Sequence, residues 1–437
     1  MKKLVMYFTA ALAIVTIAGC DLIPDPVVIT VQLVSGRQTI AVEQIMVKLE
    51  DEALTTTFEI PTDADGKATF LIIPGTYTAS ATYKTVEDGE SVTYNGSAPI
   101  IVAEGGQTEF ELDLSRVATQ QLVIKELYSG GCPKNEGTGS FSNDAYFIIY
   151  NNSAFEADAT DLVFGNVNPY NGQSNNKYYD AEGKLIYEHQ GWIPAGGAVW
   201  YFTQPVKIPA YSQIVVAVFG AIDHTATVTA SVNLANADYY WMSNGDIPAF
   251  TNAKYAVSDV IPTSHYLSGY QINKSNAWVL SNTAPAFWMG KITKSVLQQL
   301  VADTEKYDQT AGTGDVNWAV KVPSSYVIGC LEVFKSDKLE SSYLRFPSYL
   351  NTGYAVLANQ MGYTIYRNVD KEATEALPEN AGKLVYNYAG GTEDVNGTTD
   401  PSGIDAEASI KAGAHIVYLQ TSDSSKDFHQ RKVSSLK

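Results

Sequence analysis

The sequence predicts an all-β protein in two parts, and three observations carry that prediction. From Val27 onward, apolar residues alternate with polar ones in short runs separated by turn signals. From Leu122 onward the runs become continuously apolar, as strands covered on both faces require. Helical spacing stands out in one place, where Val296, Leu297, Leu300 and Val301 follow Thr293, a residue suited to an N-cap, in a segment running to Asp308. At 437 residues the chain can bury more than one core.

The chain begins with an export signal. Lys2 and Lys3 form a positive start, and Val5 to Ile17 is apolar but too short to span a bilayer comfortably. The stretch Ile17-Ala18-Gly19-Cys20 resembles the bacterial lipoprotein signal (lipobox). That resemblance implies a signal peptide over 1–19 and acyl chains such as palmitate on Cys20. It also implies a lipid-anchored envelope protein; Asp21 and Asp25 just after Cys20 are compatible with export to the cell exterior, and the periplasmic face stays open as the alternative. Two or more acyl chains anchor a protein firmly. Residues 20–26 form a tether stiffened by Pro24 and Pro26.

Residues 27–115 read as a small antiparallel sandwich. Val27, Ile29, Val31 and Leu33 alternate, as do Ile45, Val47 and Leu49, and turns fall at Asp63-Ala64-Asp65-Gly66, Pro74-Gly75 and Asn95-Gly96. Thr62-Asp63-Ala64-Asp65-Gly66-Lys67-Ala68-Thr69-Phe70 followed by Pro74-Gly75-Thr76-Tyr77 resembles the carboxypeptidase-regulatory-like (CnaB, transthyretin-like) domain. The resemblance implies a prealbumin-like β-sandwich that spaces rather than catalyses. Asp63 and Asp65 begin like a calcium loop, but Lys67 stands where a third oxygen ligand belongs, so a hairpin turn is expected.

After a polar linker, residues 122–437 form the larger part. A strand at Leu122–Tyr128 is followed by a long polar loop, a strand ending in Tyr150-Asn151-Asn152-Ser153, and Ile193-Pro194-Ala195-Gly196-Gly197. Together with Gly362–Val369 and Thr421–Phe428, this resembles an immunoglobulin-like (lamin-tail-like) β domain with long insertions and one short helix. As a whole the chain resembles an uncharacterised family of Bacteroidota outer-membrane lipoproteins. Such lipoproteins accompany SusC/SusD-type uptake systems, and the resemblance implies a TonB-dependent barrel and its SusD-like lipoprotein as partners.

Composition removes some functions. The formal charge is −18, and loss of Lys2 and Lys3 leaves 27 basic against 47 acidic residues, so phosphate backbones are repelled and nucleic acid is not expected. The sequence holds no G-x-S-x-G, H-E-x-x-H or C-x-x-C, and no Gly-Lys pair precedes Ser or Thr. The five histidines are far apart, and His415 lies in an apolar run that suggests a core position. No catalytic residue, metal or cofactor is expected, and acidic groups such as Glu393, Asp394, Asp400 and Asp405 read as solvated loops. Beyond Cys20, Cys132 and Cys330 are enough for one disulfide; Cys330 lies in an apolar run and could equally be a buried thiol.

The positive signal is tyrosine. The chain has 28, many beside Asn, Ser and Gly, while charged residues make up only 17%. Recognition loops use this mixture, in which aromatics give contact area and small polar neighbours give hydrogen bonds. Cross-strand packing in a large β protein uses it too. Tyr170, Tyr178, Tyr179, Trp192, Tyr239, Tyr240 and Trp241 are the surface candidates for ligand binding. The expected function is a surface-anchored binding lipoprotein, an accessory subunit of a TonB-dependent nutrient importer that captures an oligopeptide or glycan. The alternatives are a cell-surface hydrolase with a carboxylate pair and a structural or adhesive surface protein.

Overall fold

A computed structural model describes residues 24–51, 56–88, 90–173, 176–243, 250, 255, 258–392 and 398–437. The expected export signal over 1–19, Cys20, Glu393 and Asp394 lie outside these residues. The protein is all-β, with few and short helices. It forms two compact units, one comprising residues up to Thr85 with Val92–Ala118, the other Val86–Ser91 with Thr119–Lys437.

In the first unit, strand Val27–Ser35 is central to a four-stranded sheet. It pairs antiparallel with Lys67–Ile72 and parallel with Glu109–Asp113. A five-stranded sheet carries Met46–Asp51 and Gly75–Glu87. Ile29, Val31, Leu33, Val47, Leu49, Phe70 and Tyr77 form a shared core, as period-two strands with one buried face must. The aspartate turn is a hairpin device: Asp63 Oδ1 accepts from the backbone N–H groups of Asp65 (3.0 Å) and Lys67 (2.9 Å). Tyr77 of the P-G-x-Y motif folds its hydroxyl onto the Ile73 carbonyl at 2.8 Å.

The second unit is built on one mixed sheet of 13 strands. Its path starts at Ala355–Leu357, runs through Leu162–Val167, Trp192–Phe202 and Tyr146–Asn151, and ends at Phe428–Arg431. The Ala358 N–H donates to Gln430 Oε1, so the two ends of the sheet meet and the sheet nearly closes. Alternate residues of the strand Leu162–Val167 feed different cores. Leu162 and Phe164 join Phe147, Trp200 and Phe287 on one face, while Val163 and Val167 join Trp288, Val320 and Leu297 on the other. The segment Gln213–Ala217 is a strand whose residues beyond Gln213 are all buried.

The expected helix forms at Lys294–Ala302, with Thr293 as N-cap and Leu297 buried. It ends short of Asp308, which instead bridges to Ala319. Three more short helices, Lys371–Glu375, Ala406–Lys411 and Ser424–Asp427, correct the expectation of a single one. Each spans six residues or fewer and is started by an aspartate cap (Asp370, Asp405, Asp423), too short for periodicity to show. The last two segments that the lamin-tail resemblance singled out meet in a buried ion pair, Arg367 Nη1 to Asp427 Oδ2 at 3.1 Å. Cys132 and Cys330 are free thiols. Cys132 donates towards the buried Asp144 carboxylate, whereas Cys330 sits opposite Trp288 in a strand ladder, so sheet pairing fixes each in its own setting. His415 is not a core residue: it stacks on Tyr211 at 4.5 Å and faces Glu379 at 3.3 Å on a half-exposed edge.

Candidate functional site: an amide-lined cavity in the large unit

The strand Trp192–Phe202 changes partners halfway along. Trp192–Gly196 pairs with Ala319–Pro323, while Ala198–Phe202 pairs with Leu267–Gln271. Gly197 stands at the changeover with φ +76°, a left-handed conformation that Gly adopts without steric cost. Two close approaches also depend on glycine. A Cβ on Gly196 would lie 2.1 Å from Asn168 Oδ1, and one on Gly197 would lie 2.7 Å from Trp278 Cδ1. The paired glycines of the I-P-A-G-G motif therefore let an amide and an indole close over the backbone.

A cavity of about 480 Å³ opens there, within the usual range for small-ligand sites. Its walls come from 166–171, 177–178, 196–197, 273–279 and 311–317. Asparagines dominate its polar lining, and they also knit the walls together. Asn166 Nδ2 donates to the Val279 carbonyl (2.9 Å), Asn168 Nδ2 to Asn317 (3.1 Å) and Asn273 Nδ2 to Val316 (3.0 Å). Asn171 Oδ1 accepts from Ser281 and Thr283 hydroxyls. Among the described lining residues the only formally charged one is Lys177. Two fully shielded side-chain atoms of lining residues, Asn166 Oδ1 and Trp278 Nε1, have no hydrogen-bond partner among the described residues.

The structure divides the aromatic candidates. Tyr170 lines the cavity and is 43% exposed; its hydroxyl tucks onto the Leu280 carbonyl at 3.2 Å, and burial of that end pushes its pKa up to about 12. Tyr178 also lines it, yet is fully buried, so its assignment to the surface is corrected. Its hydroxyl donates to Asp308 at 2.6 Å, and burial together with that carboxylate raises its pKa. Tyr179 and Trp192 pack beside Tyr178 in a satellite core, with Trp192 stacked on Tyr187 at 5.2 Å and Lys321 4.8 Å from its ring centre. Tyr239, Tyr240 and Trp241 belong to another part of the sheet. Tyr240 stacks on His265 at 4.4 Å, the Tyr239 carbonyl accepts from His265 Nδ1, and Trp241 is 1% exposed in the main core, a second correction. The cause is the same for both corrections: a large ring gains more by burial than a loop position suggests.

Sequence reasoning noticed the stretch Asn166–Gly172 but missed Asn273, Ser275, Trp278 and Asn317. Only the turn-rich Asn273-Lys274-Ser275-Asn276 could have flagged them. Among the described residues no group of three or more His, Cys, Asp or Glu could hold a metal ion.

Residues 211–402 match the DUF4876 family model, described as a protein of unknown function. The DUF4876 match contains Asn273, Trp278 and Asn317 and leaves Asn166, Tyr170 and Gly197 outside it. Among solved structures, a DUF4876 family protein from Bacteroides thetaiotaomicron VPI-5482 is similar at a TM-score of 0.59 and 16% identity, covering 94% of this chain and 96% of that one. That likeness shows the fold. A DUF3823 family protein from Parabacteroides merdae ATCC 43184 matches at 13% identity and a TM-score of 0.18, over 33% of this chain and 66% of that one. No curated protein matches the chain. The findings fit an uncharacterised Bacteroidota family.

Proposed function

We propose that this protein is a lipid-anchored binding protein of the outer membrane that captures an oligopeptide or glycan as an accessory subunit of a TonB-dependent, SusC/SusD-type importer. The observation that carries the binding role is the cavity: aromatic at Tyr170 and Trp278, rich in amides, and free of carboxylates among its described lining residues. Such a lining recognises neutral, hydrogen-bonding ligands through placed polar groups on an apolar frame. A hydrolase of the two-carboxylate kind needs paired acids across the bound substrate, and this cavity supplies none among those residues. The lipobox at Cys20 and the family resemblance support the membrane and importer setting.

The test is to tag the native lipoprotein at its C-terminus, extract membranes in mild detergent and identify what co-purifies. A TonB-dependent barrel with its SusD-like lipoprotein is the expected result. Recovery of the protein alone, from membranes known to express the barrel, would reject the accessory role.

A further inference from the structure

We propose that the small sandwich meets the lipid bilayer end-on, seating Val28 and Leu71 among the acyl chains at its tethered end. This rests on the lipid anchor at Cys20 that is part of the function proposed above. Val28 and Leu71 are cross-strand partners at the end of the sandwich where the chain enters from Pro26. They share its outer face and are 56% and 65% exposed. Ile101, at 70%, belongs to the same end of the other sheet. Its strand stops at Val102, and a short turn then brings the Thr108 carbonyl to the Thr30 N–H at 2.7 Å. Leu71 and Ile101 are the two most exposed large apolar side chains among the described residues. Single exposed apolar residues need no explanation, but three gathered at one end mark a contact surface.

The outer face changes character away from the tether. Its cross-strand pairs run from Val28–Leu71, through Thr30–Thr69 with hydroxyls 3.4 Å apart, to Gln32–Lys67. On the other side of the same strand, Glu109 stands beside Thr30 and Glu111 beside Gln32. Four residues of strand cover only about 13 Å. Within that distance the face passes from aliphatic to charged, so its first rung suits hydrocarbon and its last rung suits water.

The tether decides what lies against that end. Seven residues from Cys20 to Val27 reach about 25 Å at full extension, so an acylated Cys20 holds the rim close to lipid. Attraction to phosphate plays no part. The stretches 21–31, 68–83 and 97–108 that build this end contain no Lys or Arg, and their charged residues are Asp21, Asp25 and Glu104. The contact is therefore made by burial of apolar surface, which a zwitterionic bilayer provides without repelling these carboxylates. A protein interface is centred on aromatic or arginine anchors, whereas the exposed side chains here are short aliphatics.

The experiment uses the full acylated chain in phosphatidylcholine vesicles, with part of the lipid carrying a photoreactive diazirine on its acyl chain. After irradiation, peptide mass spectrometry locates the lipid adducts, and the intact mass reports acylation of Cys20. Adducts at Val28 and Leu71 are expected at about ten times the yield at Gln32 and Lys67, since hydrocarbon excludes the polar rungs. Val28→Glu with Leu71→Glu is expected to abolish adducts at this rung and at Ile101, with the circular dichroism and the unfolding midpoint unchanged. Should that variant not fold, Leu71→Thr replaces it, and the native adduct pattern already decides. Adducts confined to the lipid-linked residues before Val27 would overturn the proposal and leave the anchor standing. Equal yields at Leu71 and Lys67 would overturn the end-on seating. A Cys20 without acyl chains would overturn both the anchor and this inference.

Discussion

In the sandwich, strand Lys67–Ile72 alternates exposed and buried positions along its length, whereas Tyr146–Asn151 and Leu162–Val167 of the large unit are buried throughout. The two patterns have different electrostatic consequences. Asp51 is the only charged residue buried in the sandwich among the described residues. The large unit buries Lys125, Glu126, Asp144, Glu332, Arg345 and Arg367. A sheet covered on both faces has little water-facing surface on which to place polar residues, so its charges must be paired inside. Arg345 shows how completely this is done. It binds Glu332 through Nε at 2.9 Å, with neither side chain exposed, and donates also to the carbonyls of Pro169 and Ala284 at 2.9 and 2.8 Å. Those carbonyls belong to the loops that build the cavity, so the pair organises the site as well as the core.

The contrast can be broken most strongly at Arg345. Arg345→Ala strands a buried Glu332 carboxylate and is expected to cost the large unit about 3–5 kcal/mol. All six tryptophans lie in that unit, so denaturant melts followed by tryptophan fluorescence read it alone. A loss below 1 kcal/mol would show that the pair contributes little beyond its own desolvation.

Glycine gives the next comparison. Gly197 and Gly36 both have positive φ, but a Cβ on Gly197 meets Trp278 while one on Gly36 meets nothing within 4 Å. Gly197→Ala adds overpacking to backbone strain and is expected to cost about 3 kcal/mol and to close part of the cavity. Gly36→Ala, read by hydrogen exchange in the sandwich, is expected to cost about 1 kcal/mol from strain alone. Equal losses would mean that the indole yields freely.

Acid should separate the units as well. His429 is buried and neutral: Asn368 gives its Nδ2 to the Lys426 carbonyl, so its Oδ1 must accept from His429 Nδ1–H (2.6 Å), while Nε2 accepts from the Tyr388 hydroxyl (2.7 Å). Burial first, and Arg431 second, hold its pKa down at about 3. The folded pKa lies below the unfolded one, so the unfolded chain binds the proton more readily. The stability from His429 is therefore whole above about pH 6.5 and is lost as pH falls towards 3. Between pH 6.5 and 4.5 this amounts to about 2 kcal/mol for the large unit, and His429→Gln should remove that component of the slope. The sandwich contains no histidine and lacks any such component. At the small end, Leu71→Thr on the outer face of the sandwich, where Leu71 is 65% exposed, should stay within about 0.5 kcal/mol.

Local rules decided much of this protein. Alternation set by the two-residue repeat of a strand gave the sandwich core from Ile29, Val31, Val47 and Leu49, because a one-sided sheet writes its burial directly into the order of residues. The Asp63–Gly66 turn was legible for the same reason: it is held by backbone N–H groups within four residues. Of the cavity, the Asn166–Gly172 stretch and the Gly196-Gly197 pair were visible as unusual sequence, without a role. Tertiary structure alone decided the rest. The walls come from segments more than a hundred residues apart, such as Asn168 and Asn317, which bond only because the near-closed sheet brings their loops to one place. The same closure buried Tyr178 and Trp241 and left Tyr170 open, since exposure of a ring depends on what the far strands lay over it. Buried pairs such as Glu332 with Arg345 and Arg367 with Asp427 were equally invisible. A charged residue in a sequence reads as surface until a distant partner neutralises it.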